Sequence, residues 1–174
     1  MTATTHIMTE ADTCRELVTP KLVEAGWGHV PHVIGEQRTF TNGRIIVTGG
    51  RVRRGKQKRA DYLLYYRRDY PLAVVEAKEL GLPAEAGVQQ AKEYAEILGL
   101  KFAYATNGHR IIEIDYTTGT EREVDRFATP AELWQRLSAA IALPDPATPH
   151  LLEPFNLVSG KVPRYYQQIA INRV

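Results

Sequence analysis

Cysteine is almost absent: Cys14 stands alone in 174 residues. A lone thiol closes no internal disulfide, which excludes a crosslinked secreted scaffold and points to a reducing compartment, the cytoplasm. Long apolar runs are missing as well. None approaches the roughly 20 residues that span a bilayer, so no membrane role is expected. The opening MTATTHIMTE carries neither a basic n-region nor an apolar h-region, and no secretory signal is read there. Charge of one sign is not in excess either: the net charge of +2 does not by itself imply nucleic acid. His6, His29, His32, His109 and His150 lack metal-ligand spacing. What remains, with 44% hydrophobic and 24% charged residues, is one ordinary globular domain with room for a core.

The positive charge is unevenly spread. Arg51, Arg53, Arg54, Lys56, Lys58 and Arg59 fall within nine residues. Such a run is a solvated loop when nothing else accompanies it, and a phosphate-binding stripe when a nucleic-acid site lies beside it. The stretch from Gly50 to Gln57 nearly matches a phosphate-cradling GxxxxGK(S/T) loop. Gln57, however, stands where a Ser or Thr must ligate Mg²⁺, and a strand rather than a helix follows, so nucleotide binding there is set aside.

Periodicity predicts a helix after the N-cap Thr9, with Leu17, Val18, Leu22 and Val23 on one face, Pro20 kinking or breaking it and Gly26 ending it. Residues 28–58 read as loop apart from a short strand at Arg44–Thr48. Ala60–Arg67 and Leu72–Ala77 read as an antiparallel hairpin turning at Asp69-Tyr70-Pro71, the second strand apolar on both faces and therefore central. A helix from Pro83 or Ala84 to Leu98 stops at Gly99. Phe102–Thr106 and Arg110–Asp115 form a second hairpin around Asn107-Gly108, and a further strand near Glu121–Val124 follows. Thr129-Pro130 opens a last helix ending near Leu143. This order predicts an α/β domain, a mixed sheet flanked by helices, over residues 1–143. Pro144, Pro146, Pro149, Pro154 and Pro163 mark 144–163 as a linker. Trp27 and Trp134 are expected in the core and His109 in a turn.

The chemistry concentrates where the first hairpin ends. Strand alternation projects Glu76 and Lys78 from one face, and the hairpin can bring Asp61 beside Glu76. Two carboxylates on adjacent strands suit a hard cation such as Mg²⁺. A lysine next to them can stabilise negative charge developing on a phosphate. An isolated E-x-K is more often a salt bridge, but here two charges end a strand otherwise fit for burial, where charge must be paired or metal-bound. Gln90 and Tyr94, four residues apart, share a face of the following helix and are expected to steady the site or contact DNA backbone.

RADYLLYY, AVVEAK and GVQQAKEYAEILGLKFAYATNG resemble the N-terminal nuclease domain of type I restriction endonuclease R subunits, a PD-(D/E)xK family with a following Q-x-x-x-Y motif. The resemblance covers roughly residues 9–142 and assigns Asp61, Glu76 and Lys78, then Gln90 and Tyr94, to catalysis. Ala60 replaces the Pro of the motif's name, which contributes no ligand. An additional helix-one acid is expected at the metal, with Glu10 the candidate and Glu16 and Glu24 behind it. Arg53, Arg54, Lys56, Lys58 and Arg59 then become candidate DNA contacts on a loop beside the site. Pro163-Arg164-Tyr165-Tyr166-Gln167-Gln168-Ile169-Ala170-Ile171 looks like the Q-motif that opens a superfamily 2 helicase motor. There Gln167 would read adenine, so that 164–174 begin a truncated, ATP-dependent motor. The resemblance implies an Mg²⁺-dependent endonuclease (Mn²⁺ substituting) that cuts double-stranded DNA alongside methyltransferase and specificity subunits. Alternatives are a docking module with a decayed site and a stand-alone nuclease of the same fold.

Overall fold

The computed structural model describes residues 8–41, 45–48, 51–54 and 57–141, with backbone alone at 45–48 and 51–54. Within them a six-stranded sheet has the order β1-β4-β5-β6-β7-β8, and a separate two-stranded ribbon pairs β2 with β3. The strands are β1 Val33–Thr41, β2 Ile45–Thr48, β3 Arg51–Arg54, β4 Gln57–Arg67, β5 Tyr70–Ala77, β6 Phe102–Thr106, β7 Ile111–Asp115 and β8 Thr120–Val124. All neighbours pair antiparallel except β5 and β6, which run parallel. The parallel step needs a crossover. It is supplied by a 3₁₀ turn, Ala84–Gly87, and helix α3, Val88–Leu98, ended by Gly99 in the left-handed region at φ 69.

The first helix is irregular beside Pro20, the residue expected to kink or break it. It runs as α1 Glu10–Thr13, a π turn Cys14–Val18 and α2 Thr19–Glu24. The Thr19 N–H reaches the Cys14 carbonyl, so the ladder widens just before the proline that has no N–H to give. The helix is therefore continued through Pro20 by a π turn rather than ended there. Thr9 caps it, accepting from the Asp12 N–H. Thr129 caps α4, Pro130–Ala140, in the same way.

Two apolar clusters sandwich the sheet. Val18, Leu22, Trp27, Leu133 and Leu137 cover one face, against Leu64, Ala73, Val75 and Tyr104. Ala91, Tyr94, Ala95 and Leu98 of α3 cover the other, against Leu63, Val74, Ala103 and Ala105. β5 lies between β4 and β6 and is buried along nearly its whole length, as its sequence predicts. Trp27 is fully buried and Trp134 packs at the core's margin.

Residues 28–58 are the main correction. β2 matches the strand expected at Arg44–Thr48, but the expected loop around it also contains β1, β3 and the start of β4. The basic run is not a free loop: Arg53 and Arg54 lie on β3, paired by register with Ile46 and Ile45, and Lys58 and Arg59 lie inside β4. β4 begins at Gln57, so Asp61 sits within a strand rather than at its start. β5 begins at Tyr70, leaving Arg68 and Asp69 as the turn. The β6–β7 connection is also longer than the expected two-residue turn. Asn107 Oδ1 accepts from the N–H groups of His109 and Arg110, while Gly108 adopts φ 88. Lys56, the linker at 144–163 and the segment 164–174 with Gln167 lie outside the described residues. No helix among the described residues is long and apolar enough to cross a membrane.

Candidate active site

The β4–β5 ladder pairs Tyr62 with Val75 and Leu63 with Val74. One step further, that register puts Asp61 opposite Glu76. Val74 packs under α3 while Ala73, Val75 and Ala77 face the other cluster, so alternation turns Glu76 toward α3. Glu76 and Asp61 are buried, at 2% and 6% exposure. Asp61 Oδ2 accepts from the Ala77 N–H at 2.8 Å, and its Oδ1 accepts from Gln37 Nε2 at 3.1 Å. Both carboxylate oxygens are thereby oriented.

Lys78 follows β5 directly, its backbone N–H held by the Thr106 carbonyl at 2.8 Å. Its Nζ donates to Glu76 Oε1 at 3.0 Å and to Gln90 Oε1 at 3.1 Å. Gln90 Nε2 donates in turn to the Tyr94 hydroxyl at 2.9 Å. The four residues singled out on β5, just after it and on α3 thus form one hydrogen-bonded chain, Glu76–Lys78–Gln90–Tyr94. Gly87, at the end of the 3₁₀ turn, packs beside the site: a Cβ there would be in ordinary contact with Lys78 Cγ at 3.5 Å and the Glu76 carbonyl at 3.6 Å.

Among the helix-one acids, Glu10 lines the same cleft and its Oε2 lies 3.8 Å from Lys78 Nζ. Glu16 instead meets Arg15 at 3.1 Å, and neither it nor Glu24 lines the cleft. Lys58 and Arg59 stand at the cleft's rim with Gln57. Lys58 Nζ is bound by Glu93 of α3 and lies 5.6 Å from the Tyr94 ring centroid. The side chains of Arg53 and Arg54 lie outside the described residues.

Charge in the cleft is poised. Burial, reinforced by the Asp61 charge, pushes the Glu76 carboxyl up to about 8 despite the opposing Lys78. For Lys78, burial pulls downward, but the hydrogen bond to Glu76 and the charges of Glu76, Glu10 and Asp61 outweigh it and hold the ammonium above its ordinary value. Glu76 Oε2 is buried with no hydrogen-bond partner. An orphaned carboxylate oxygen beside a second carboxylate is an arrangement that a hard cation completes. Among the described residues no three His, Cys, Asp or Glu groups converge as a finished cage, so the donor set fits a cation that keeps part of its water shell, as Mg²⁺ does.

Two residues that hold side chains of the cleft, Glu93 on Lys58 and Gln37 on Asp61, are absent from the expectations. Glu93 was within reach of the spacing argument, since it lies three residues after Gln90 on the same helical face. Gln37 was not: it lies in the stretch read as loop, and no pattern marks it.

The fold defines the class, an α/β domain of the PD-(D/E)xK restriction-endonuclease-like type, with its mixed sheet between helices. A solved fragment of a candidate HsdR subunit of a type I restriction enzyme from Vibrio vulnificus YJ016 superposes with a TM-score of 0.85 at 58% identity, over 97% of this chain and 32% of that one. The family described as type I restriction enzyme R protein N terminus matches residues 29–127. The EcoAI endonuclease subunit of Escherichia coli is 36% identical over 173 residues, 95% of this chain and 21% of that protein. The chain belongs to the N-terminal region of type I restriction enzyme R proteins. It spans about a fifth of the length of the curated relative.

Proposed function

We propose that this chain is the DNA-cutting domain of a type I restriction complex, hydrolysing phosphodiesters in double-stranded DNA with Mg²⁺, for which Mn²⁺ substitutes. The observation that carries this reading is the buried, unpartnered Glu76 Oε2 opposite Asp61, with Lys78 Nζ 3.0 Å from the other Glu76 oxygen. Asp61 and Glu76 would hold the cation, with Glu10 as a third acid at its edge. When bound, a divalent cation there polarises a phosphate oxygen and makes water a better nucleophile. Lys78 presents a protonated Nζ to the charge that develops on the phosphate. Gln90 aims that Nζ through its own carbonyl, and Tyr94 holds Gln90. Lys58 and Arg59 at the rim would take flanking phosphates, with Arg53, Arg54 and Lys56 extending the track. These contacts read backbone, not bases, so sequence choice would rest with a specificity subunit.

In the complete protein the domain would work in the cytoplasm, beside a motor whose ATP site includes Gln167 and with methyltransferase and specificity subunits. The test uses the complete enzyme. Asp61→Ala, Glu76→Ala and Lys78→Ala each abolish DNA cutting while ATP hydrolysis continues, read by plasmid linearisation and phosphate release. Undiminished cutting by Asp61→Ala sinks the reading.

A further inference from the structure

Gln37 is the one described non-glycine residue with positive φ, at 49. A glutamine rarely adopts that region, and such strain persists only where the surroundings hold it. Its neighbours in β1 keep an unshifted register with β4: Glu36 pairs with Tyr62 and Arg38 with Ala60, so Gln37 faces Asp61. From there its Nε2 donates to Asp61 Oδ1 at 3.1 Å.

The left-handed residue also reverses the ribbon. In a regular strand, residues an even number apart share a face. Ile34 packs with the cluster of Tyr62 and Leu64, whereas Phe40, six residues on, packs with the opposite cluster beside α3. β4 changes face at the same point without losing register, because Ala60 lies in the α3-side cluster and Tyr62, two residues on, in the opposite one. The reversal lets Phe40 meet the Tyr94 ring edge-on at a centroid distance of 5.0 Å. It also carries Lys58, the register partner of Phe40, over that ring. One backbone conformation thus turns the strand pair toward the cleft and aims an amide at its acid.

We infer that Gln37 is a positioning residue for the cation: its amide fixes the Asp61 carboxylate, with the Ala77 N–H on the other oxygen, in the orientation that binds metal. This rests on the reading of Asp61 as a metal ligand. The left-handed backbone is what allows the amide to reach, so the strain serves the site and not stability.

The test is calorimetric titration of this chain with Mn²⁺, paired with thermal melting, for the wild type, Gln37→Gly, Gln37→Met and Asp61→Ala. Glycine removes both amide and strain, and methionine removes the amide while keeping size and strain. Both variants are expected to bind Mn²⁺ about tenfold or more weakly, the usual cost of losing a group that orients a metal ligand. Gln37→Gly should melt at or above the wild-type temperature. Mn²⁺ affinity equal to wild type in either Gln37 variant overturns the inference, even if that variant melts early, and leaves Gln37 a strand-shaping residue. Absent Mn²⁺ binding by the wild type, or undiminished binding by Asp61→Ala, overturns instead the reading of the site on which the inference stands, and the inference with it.

Discussion

Glu76 is ionised in the unfolded chain above about 4.5, but burial and Asp61 hold it protonated in the cation-free fold up to about 8. The stability linked to that proton is fully present below the unfolded value and is lost as pH rises through the folded one. Glu76→Gln mimics the protonated form permanently. It should therefore leave the melting temperature unchanged near pH 4.5 and raise it progressively toward pH 9, the underlying stability gain being a few kcal/mol at most at ~1.4 kcal/mol per pKa unit. Melting both proteins across that range in chelator checks this, and parallel curves would refute it. On the proposed reading Mn²⁺ should restore stability to the wild type more than to Glu76→Gln, which keeps Asp61 but loses the second charged carboxylate. Much of this chemistry was legible in the sequence, because the parity of Glu76 and Lys78 follows from strand alternation and Gln90 and Tyr94 from the helical repeat. Gln37 was illegible because its role depends on a single φ angle, which no residue type at that position announces.

Among the elements, the helices, β2 and β4 to β8 follow from caps, turns and apolar runs, whereas β1 and β3 do not. The reason lies in β1 itself. Its face reverses at Gln37, so Ile34 and Phe40 never produce the alternation that marks a strand, and the four residues between Gly35 and Phe40 are exposed. The first helix is placed by a similarly local device. Lys21 Nζ donates to the Gly108 carbonyl at 2.6 Å, and a Cβ on Gly108 would lie 2.7 Å from Leu17 Cδ1 and 2.8 Å from Leu17 Cβ. Gly108 also has φ 88. Gly108→Ala therefore combines backbone strain with a clash against the helix that carries Glu10. A loss on the order of 2–4 kcal/mol is expected in urea unfolding. A loss below about 0.5 kcal/mol, the range of an ordinary surface change, would mean the helix can shift freely over the turn.

At the scale of the molecule, the two faces of the sheet divide the work. The α3 face holds the unpartnered Glu76 oxygen and the strained Gln37 contact. The opposite face also buries an acid, but a fully satisfied one. Glu113 accepts from the Tyr104 hydroxyl at 2.8 Å, Arg136 at 3.0 Å and Arg122 at 3.1 Å. Burial and Glu113 keep the Tyr104 phenol well above its ordinary value, so it remains the donor. Breaking such a buried cluster from one side costs on the order of 3–5 kcal/mol, because the remaining partners lose their counter-charge. Glu113→Ala should thus lower the urea midpoint sharply, yet its folded fraction should titrate with Mn²⁺ like the wild type. Glu76→Gln should do the reverse, gaining stability at alkaline pH and losing the cation. Parallel losses of stability and Mn²⁺ affinity in Glu113→Ala would show instead that the sheet couples its faces, through β6 and the Thr106 carbonyl that holds Lys78. An identical pair of signs in the two variants cannot arise if one face is built for stability and the other held open for a cation.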